Sequence, residues 1–460
     1  MLKSGAMAHG EQNESSRRED APVIPHSDPA GGAGSLEAAM MQEKNPVRRF
    51  IKVLGPGLIT GASDDDPSGI GTYAVAGASL GLSTLWTALF SLPLMIAVLL
   101  TCARIGMVSG MGLTAVLRRH YSRNLLYLTV GCLVIANTIN VGADIGAIAA
   151  AINLLIPVPA AALIVPIALV ILALQIWGSY RLIAKTFKWL TLALLAYIGS
   201  ALYAKPDVVQ VLKATFIPKL SFDPNFLAML VALLGTTISP YLFFWQASQE
   251  VEEEIGFGRV TQAQRRGATD AEMKYARWDV YIGGFLSNLV MYFIILATAA
   301  TLFKGGQTNI QSAADAALAL RPLAGRGAEI LLAVGLIGTG FLAVPILTGS
   351  SAYAVTEAFR GRYGFSQKLR DAKLFYGVII ASTFVGLLIN FVGINPIRAL
   401  FMAAVINGFL APPLLMVIML IANNRKVMKD RTNGRWTNIF GWTTTLVMFV
   451  AAVALVLTWN

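Results

Sequence analysis

Long apolar stretches alternate with short polar segments from about residue 53 to the end of the chain. A helix needs about 20 apolar residues to cross the hydrocarbon core of a bilayer. The pattern therefore predicts an all-α, polytopic membrane protein with eleven spans. The predicted spans are 53–80, 83–108, 122–155, 159–178, 182–204, 226–250, 278–303, 328–357, 372–391, 396–423 and 437–459.

Two of these spans are interrupted by residues that break helices. The first reads GASDDDPSGIG at 61–71, and the sixth reads LGTTISPYLFF at 234–244. Proline removes a backbone donor, and glycine permits the conformations that an unwound stretch needs. We expect the first helix to break at Asp66–Pro67–Ser68–Gly69 and the sixth around Gly235 and Ser239–Pro240.

The two interruptions are five spans apart, which predicts two inverted five-helix repeats with a binding site at mid-membrane. The carbonyls freed by a break cannot face lipid, so they must line protein or a cavity. Two unrelated proline kinks are the alternative explanation. The predicted divisions are a tail at 1–48, a ten-helix core at 49–424 with repeats at about 49–204 and 222–424, and an eleventh helix at 425–460.

The composition excludes a soluble protein. Only 13% of the residues are charged and the mean hydropathy is +0.64, whereas soluble domains carry about 25% charged residues. The first 45 residues are polar and contain no apolar core, so no secretory signal is predicted. We expect this tail to be disordered and cytosolic.

The net charge of +11 first suggests a nucleic-acid partner. However, the predicted spans place 21 Lys and Arg residues in the loops and adjoining span ends on one side and 7 in those on the other. Because cytosolic loops carry the excess of positive charge, the N-terminus is predicted inside and the C-terminus outside. The expected partner is therefore the lipid bilayer and not a nucleic acid.

Three adjacent carboxylates, Asp64, Asp65 and Asp66, lie inside the first span. A buried charge of this kind is costly and needs a cavity, a cation or a partner. Spans 1 and 6 contain no Lys or Arg, so a bound cation is the natural interpretation, and hard oxygen ligands suit Mg²⁺, Ca²⁺ or Mn²⁺. Asp66, at the break, is the first candidate ligand. Asp64 and Asp65 are expected to hydrate the cavity or to cap the first half-helix.

Other spans add polar groups, and the sequence contains no enzyme motif. Candidate cavity residues are Asn140 and Asp144 in span 3 and Asn407 in span 10, although each could equally make an ordinary interhelical hydrogen bond. The glutamates at 250–254 are predicted to form a solvated face at the inner end of span 6. We find no His cluster, Gly-x-Ser-x-Gly elbow or phosphate loop, so an enzyme is not expected.

The run GPGLITGASDDDPSG, followed five spans later by GTTISPYLFFWQ, resembles the natural-resistance-associated macrophage protein (Nramp) family of divalent metal transporters. The resemblance covers about residues 50–460 in span number and order, and it implies the leucine-transporter (LeuT) fold. It also implies that Asp66 binds the metal ion and that the backbone carbonyls of Ser63 and Thr236 face it.

Several positions depart from the usual family motifs, which are Asp-Pro-Gly-Asn in span 1 and Met-Pro-His in span 6. Gly69 replaces the Asn and Ser239 replaces the Met, while Tyr241 and Gln246 replace two His residues. By the same alignment Asn407 takes the place of a Gln. A family Glu in span 3 becomes Asp144.

This variant pattern resembles that of the Nramp-related magnesium transporters, a prokaryotic clade. A hydroxyl in place of a thioether removes the soft ligand that favours transition metals, and Mg²⁺ usually retains water. The expected function is uptake of Mg²⁺, and also of Mn²⁺, across the bacterial inner membrane by a monomer without obligatory proton coupling. No cofactor is expected besides the transported ions. The alternatives are a proton-coupled Mn²⁺/Fe²⁺ symporter and, from another class, a sodium-coupled amino-acid symporter, which the acidic site disfavours.

Overall fold

A computed structural model of the protein describes residues 56–178 and 190–458. Almost all of these residues are helical, and fifteen helices among them have eight residues or more. They are α1 (Pro56–Asp64), α2 (Pro67–Leu80), α3 (Trp86–Ser109), α4 (Leu113–His120), α5 (Arg123–Leu155), α6 (Ala160–Trp177), α7 (Ala196–Tyr203), α8 (Val208–Phe216), α9 (Pro224–Thr237), α10 (Pro240–Gly256), α11 (Asp270–Thr298), α12 (Ala328–Ala358), α13 (Lys373–Ile389), α14 (Pro396–Ala422) and α15 (Arg435–Thr458).

The polytopic, all-α architecture predicted from the sequence is confirmed. Within the described parts of the chain, nine helical segments are long and apolar enough to cross a membrane, and α9 and α10 together form one of them. The first predicted span is the broken pair α1 and α2. The break lies at Asp65 and Asp66, so the expectation that it extends through Ser68 and Gly69 is wrong. The fifth predicted span is represented by the shorter apolar helix Ala193–Tyr203, because 179–189 lie outside the described residues. The predicted tail at 1–48 also lies outside them, and the repeat boundaries stay a prediction.

The first half-helix, α1, packs against α11 through glycine. A β-carbon at Gly61 would lie 2.3 Å from the carbonyl oxygen of Gly283, and one at Gly283 would lie 2.2 Å from the carbonyl oxygen of Gly57. Backbone therefore meets backbone along this contact, which we call the glycine seam. The Asp279 carboxylate accepts hydrogen bonds from the N–H groups of Gly57 (2.6 Å) and Leu58 (3.0 Å). This satisfies donors that the start of a helix leaves unpaired.

The break in the sixth span is shorter than the sequence predicts. Helix α9 continues through Gly235 and ends at Thr237, so the expectation of a break at Gly235 is wrong. Its glycine serves close packing instead, because a β-carbon there would lie 2.2 Å from the Ala404 carbonyl oxygen and 2.3 Å from the Gly408 nitrogen on α14.

The centre of the molecule lies where the broken helices meet α5. This 33-residue helix packs against α12, α13 and α14, while α10 packs against α3 and α12. Two helices outside the predicted spans, α4 and α8, are short and amphipathic. The long helices thus surround the two breaks and bury the polar side chains that the sequence places near them.

Candidate functional site

Asp66 occupies the break in the first span. Its backbone is extended (φ −67°, ψ 168°), and Pro67 begins α2. One carboxylate oxygen accepts hydrogen bonds from the Ser68 hydroxyl and the Gly69 N–H, both at 2.7 Å. Aspartate before a first-turn proline is a favoured helix start, so the local sequence explains why the chain unwinds here.

The second oxygen of Asp66 is held by a different helix. Asn140 on α5 donates its side-chain N–H to this oxygen at 2.9 Å. Both residues are buried, with Asp66 only 1% exposed. The side-chain oxygen of Asn140, Oδ1, makes no hydrogen bond among the described residues, so it remains available as a further hard ligand beside the carboxylate.

The break in the sixth span faces the first. Ile238 and Ser239 leave helical geometry, and Pro240 begins α10. The Thr236 hydroxyl lies 3.4 Å from the Ser68 hydroxyl, and the Tyr241 hydroxyl donates to the Ser63 carbonyl at 2.8 Å. The structure thus brings both interruptions together, as paired breaks predict.

The backbone carbonyls expected to face an ion already accept hydrogen bonds. That of Ser63 accepts from Tyr241. That of Thr236 accepts from the Ser239 hydroxyl at 2.6 Å, and the same hydroxyl lies 2.8 Å from the Gly235 carbonyl. A carbonyl oxygen has two lone pairs, so each can bind a second partner.

Gly69 is surrounded by oxygen atoms. The three atoms nearest to a β-carbon built on it are the Asp64 carbonyl oxygen at 3.2 Å and the hydroxyl oxygens of Thr236 and Tyr73, both at 3.3 Å. A larger residue at this position would have to displace them. Because Gly69 has no side chain, the space between these three oxygen atoms stays open.

The side chains of Asp64 and Asp65 face α11. The Ser287 hydroxyl on α11 donates to Asp64 at 2.5 Å and lies 3.4 Å from Asp65. The remaining Asp64 oxygen makes no hydrogen bond among the residues that the structure describes. These two acids form a pair beside the break, and Ser287 is a partner that the sequence analysis missed.

Asp144 and Asn407 are buried with unused hydrogen-bonding capacity. Asp144 is fully buried, and the Asp66 carboxylate and the Ser68 N–H lie close to it. Neither of its oxygens makes a hydrogen bond of standard geometry within the described ranges, and the Asn407 amide nitrogen also makes none there. Asp144 can therefore bind water or a cation, and the Asn407 amide nitrogen can donate to water, without breaking an existing hydrogen bond.

Gln246 belongs to a separate line of polar groups. It accepts a hydrogen bond from the Thr60 hydroxyl (2.6 Å) and donates one to Glu250 (2.8 Å). This line leads from α1 to the end of α10. The prediction that the glutamates there are solvated is wrong for Glu250 and Glu254, which are only 3% and 6% exposed. They line a cavity of about 30 Å³ together with Asp279.

The donor set around Asp66 consists of one carboxylate and neutral oxygens. Across 56–178 and 190–458, no three Asp, Glu, His or Cys side chains form a group that could hold a metal ion by themselves. A cation at this position would use Asp66 together with carbonyl, amide and hydroxyl oxygens, or water. Oxygen-only donors with retained water are the environment that Mg²⁺ prefers in proteins.

Comparison with known families and structures agrees with this arrangement. The model of a family described as natural resistance-associated macrophage protein-like matches residues 57–458. Among curated proteins, the divalent metal cation transporter MntH of Klebsiella pneumoniae subsp. pneumoniae is 26% identical over 397 residues, which are 85% of this chain and 90% of that protein. The relatives named here are transporters and not enzymes, as the sequence predicts.

Two solved structures show the fold. A manganese transporter of Eremococcus coleocola superposes with a TM-score of 0.71 at 18% identity, covering 90% of this chain and 87% of the other. Mhp1, a nucleobase-cation-symport-1 family transporter, superposes in a closed conformation with a TM-score of 0.54 at 16% identity, covering 88% and 91%. Both likenesses confirm the LeuT fold, with two inverted five-helix repeats and an eleventh helix. From its span order, its paired breaks and its match over residues 57–458, the chain belongs to the Nramp family.

Proposed function

We propose that this protein carries divalent metal ions into the cell by alternating access, with Mg²⁺ as its main substrate and Mn²⁺ also accepted. Membership of the Nramp family supports divalent metal transport, as do relatives named for divalent metal cation and manganese transport. The same membership argues against a sodium-coupled amino-acid symporter. The magnesium-transporter clade is the part of the proposal that rests on this chain's own residues.

The observation that carries the proposal is the buried Asp66 carboxylate at the point where the two broken helices meet. It is 1% exposed, and the groups that donate hydrogen bonds to it, on Ser68, Gly69 and Asn140, are neutral. Since a buried carboxylate without a cationic partner is costly, a bound divalent ion supplies the missing charge. The proposed ligands are Asp66, the carbonyls of Ser63 and Thr236, and the neighbouring positions Gly69, Ser239 and Asn407.

The proposed selectivity for Mg²⁺ rests on the residue type at position 239 and on the oxygen atoms around Gly69. The Ser239 hydroxyl replaces the thioether expected in the family, and oxygens of Asp64, Thr236 and Tyr73 border the open position. Such a site favours a hard ion that keeps part of its water. Asn140 and Asp144 would then border the hydrated ion, and the acid pair Asp64 and Asp65 would add negative charge beside the site.

Transport without obligatory proton coupling is proposed on the chemistry of the same site. Histidine is the side chain whose ordinary pKa lies nearest physiological pH. Tyr241 and Gln246 stand where the family resemblance places histidines, and neither a phenol nor an amide exchanges protons near neutral pH. Asp144 remains the candidate proton carrier for the alternative, a proton-coupled Mn²⁺/Fe²⁺ symporter.

The excess of positive charge in one set of loops supports a cytoplasmic N-terminus and an external C-terminus in the bacterial plasma membrane. We propose that the protein works as a monomer. Labelling of single cysteines introduced at the two ends would test the orientation. Light scattering of the detergent-solubilised protein would measure its molar mass and so test whether it is a monomer.

The central experiment is metal competition in proteoliposomes held at an inside-negative potential. Flux of Mg²⁺ is followed with an internal dye while Mn²⁺, Ca²⁺ or Fe²⁺ is added outside. We expect Mg²⁺ influx that is saturable and reduced by Mn²⁺. Robust Mn²⁺ influx together with no Mg²⁺ influx would overturn the magnesium assignment but leave divalent metal transport standing.

A further inference from the structure

A large open groove lies at one end of α3, α11 and α15, and none of its lining residues belongs to the broken helices. Its volume is about 710 Å³. The C-terminal end of α3, the N-terminal end of α11 and the loop at 429–434 before α15 border it. In the orientation proposed above, all three ends lie at the cytosolic surface. The groove therefore opens at the inner boundary of the membrane.

The groove is strongly basic. Its charged side chains are Arg104, Lys274, Arg277, Arg431, Asp270 and Asp430, which give it a net charge of +2. We call it the inner basic groove. Arg431 pairs with Asp270. Neither Lys274 nor Arg277 has a carboxylate within 4 Å among the described residues, so two of the cations are left without a partner.

Hydrogen bonds within the protein fix the base of the inner basic groove. Arg104 donates from its Nη1 to the Thr432 carbonyl at 3.1 Å, and the Asn433 side chain donates to the Thr101 hydroxyl at 3.0 Å. These bonds fix the loop against α3. The Nε of Arg104 is buried and has no hydrogen-bond partner within the described residues. Arg277 and Arg431 lie close enough to Arg104 to repel it electrostatically. The groove thus holds three positively charged guanidinium groups close to one another.

Apolar surface continues from the groove along α11. Trp278 is 53% exposed and Tyr281 is 37% exposed, and both line the groove. Phe285, one turn further along, is 54% exposed. Aromatic side chains of this kind concentrate at the membrane interface, and these three follow one face of the helix at helical spacing. A ligand with an anionic head and an apolar body would contact both parts.

We propose that the inner basic groove binds the headgroup of an anionic membrane phospholipid, whose acyl chains lie along the aromatic face of α11. Basic pockets between transmembrane helices on the cytoplasmic side suit such headgroups. Arginine and lysine donate to phosphate oxygens, and the charge of the lipid offsets the repulsion between the guanidinium groups. The apolar continuation favours a lipid over a free phosphate ion. This inference depends on the orientation and not on which metal is carried.

The test is native mass spectrometry of the full chain in detergent, titrated with phosphatidylglycerol or phosphatidylcholine. The variant Lys274→Gln/Arg277→Gln removes the two unpaired cations and leaves Arg104, which anchors the loop, in place. Each cation near a membrane surface contributes about fivefold to anionic-lipid affinity, so we expect roughly 30-fold weaker phosphatidylglycerol binding. The matched control, Arg425→Gln/Lys426→Gln, removes two exposed cations that do not line the groove, and it should bind as the parent does.

Three results would overturn the proposal. The groove variant could retain the parent's phosphatidylglycerol affinity, or the control variant could lose as much affinity as the groove variant. Inorganic phosphate at the lipid's concentration could also displace phosphatidylglycerol, which would identify a simple anion site. Unchanged thermal unfolding of both variants in detergent checks that neither is misfolded.

Discussion

The carboxylate of Asp66 has two roles in the proposed mechanism. It caps the start of α2 through Ser68 and Gly69, and it is the proposed ligand of the ion. Because both roles use the same oxygens, an alanine variant alone cannot separate them. Asparagine keeps a side-chain oxygen and caps helices about as well as aspartate does. The pair of variants therefore distinguishes charge from capping.

We predict that Asp66→Ala and Asp66→Asn both abolish Mg²⁺ influx, because both remove the charge that compensates ion dehydration. Asp66→Ala should also lower thermal stability, since losing a cap costs about 1 kcal/mol, whereas Asp66→Asn should be nearly as stable as the parent. Asp64→Ala should reduce flux less than either, since Asp64 contacts Ser287 and not the break. Influx is measured with an internal dye. Parental flux in Asp66→Asn would contradict the ligand assignment.

The second prediction concerns selectivity. Ser239→Met with Gly69→Asn should raise the Mn²⁺/Mg²⁺ flux ratio, because it restores a soft donor and an amide oxygen. A preference of about 1.4 kcal/mol for the soft ion corresponds to a tenfold change. The single variant Ser239→Met is the control for crowding, since a β-carbon at Gly69 already lies 3.2 Å from the Asp64 carbonyl oxygen. An unchanged or lower ratio in both variants would count against ligand softness.

At the scale of the elements, the glycine seam joins α1 to α11. Gly57, Gly61 and Gly283 allow backbone contacts that no side chain could share. The Asp279 carboxylate adds hydrogen bonds to the first turn of α1. The half-helix before the break is therefore fixed to a helix more than 200 residues away in sequence.

We predict that Gly283→Ala destabilises the protein, while the adjacent Gly284→Ala does not. A methyl group at 283 would lie 2.2 Å from the Gly57 carbonyl oxygen, so two backbones must separate. At 284 it would meet side chains and no backbone, with the flexible end of Met95 at 2.8 Å and Ile96 Cγ1 at 3.2 Å. Overpacking of this kind costs about 1–3 kcal/mol. Thermal unfolding in detergent compares the two variants. Equal melting temperatures would show that the seam is not tightly packed.

The elements also show where sequence reasoning succeeds. Both breaks were predictable because an Asp or Ser before a Pro acts locally, at Asp66–Pro67 and Ser239–Pro240. Partners that are distant in sequence, such as Ser287 for Asp64, were not predictable, since nothing near Asp64 specifies which helix packs against it. Gly235 was misassigned for a related reason. Gly235 allows α14 to pack closely against α9. The residues around Gly235 do not specify that another helix packs there.

For the whole molecule, the membrane potential supplies the driving force. A divalent ion that enters a cell at −100 mV gains about 4.6 kcal/mol, twice the value for one charge. This sustains inward flow against a gradient of about three decades. The proposed uptake would therefore require no second energy source, which is consistent with a site whose proposed residues include no histidine.

We predict that Mg²⁺ influx increases with inside-negative potential and carries no protons. The assay is a pH-sensitive dye inside proteoliposomes, with potassium and valinomycin setting the voltage. Influx should rise with voltage, while internal pH stays constant apart from the leak measured in protein-free liposomes. Acidification in proportion to metal entry would mean that Asp144 or another acid carries a proton, and the alternative of proton-coupled symport would then hold.

The hydrogen bonds on Asp66 also bear on the half of the transport cycle in which nothing is carried. After releasing its ion, a facilitator must switch its vacant site back to the other side of the membrane. An unpaired carboxylate in a low-dielectric interior makes this step costly in free energy. Two of the three donors, Ser68 and Gly69, belong to the same turn as Asp66. They accompany the carboxylate whichever side of the membrane it faces, and Asn140 adds a third. In the proposed mechanism these hydrogen bonds would solvate the vacant carboxylate throughout the cycle, and the return of the empty carrier would need neither a proton nor a second ion.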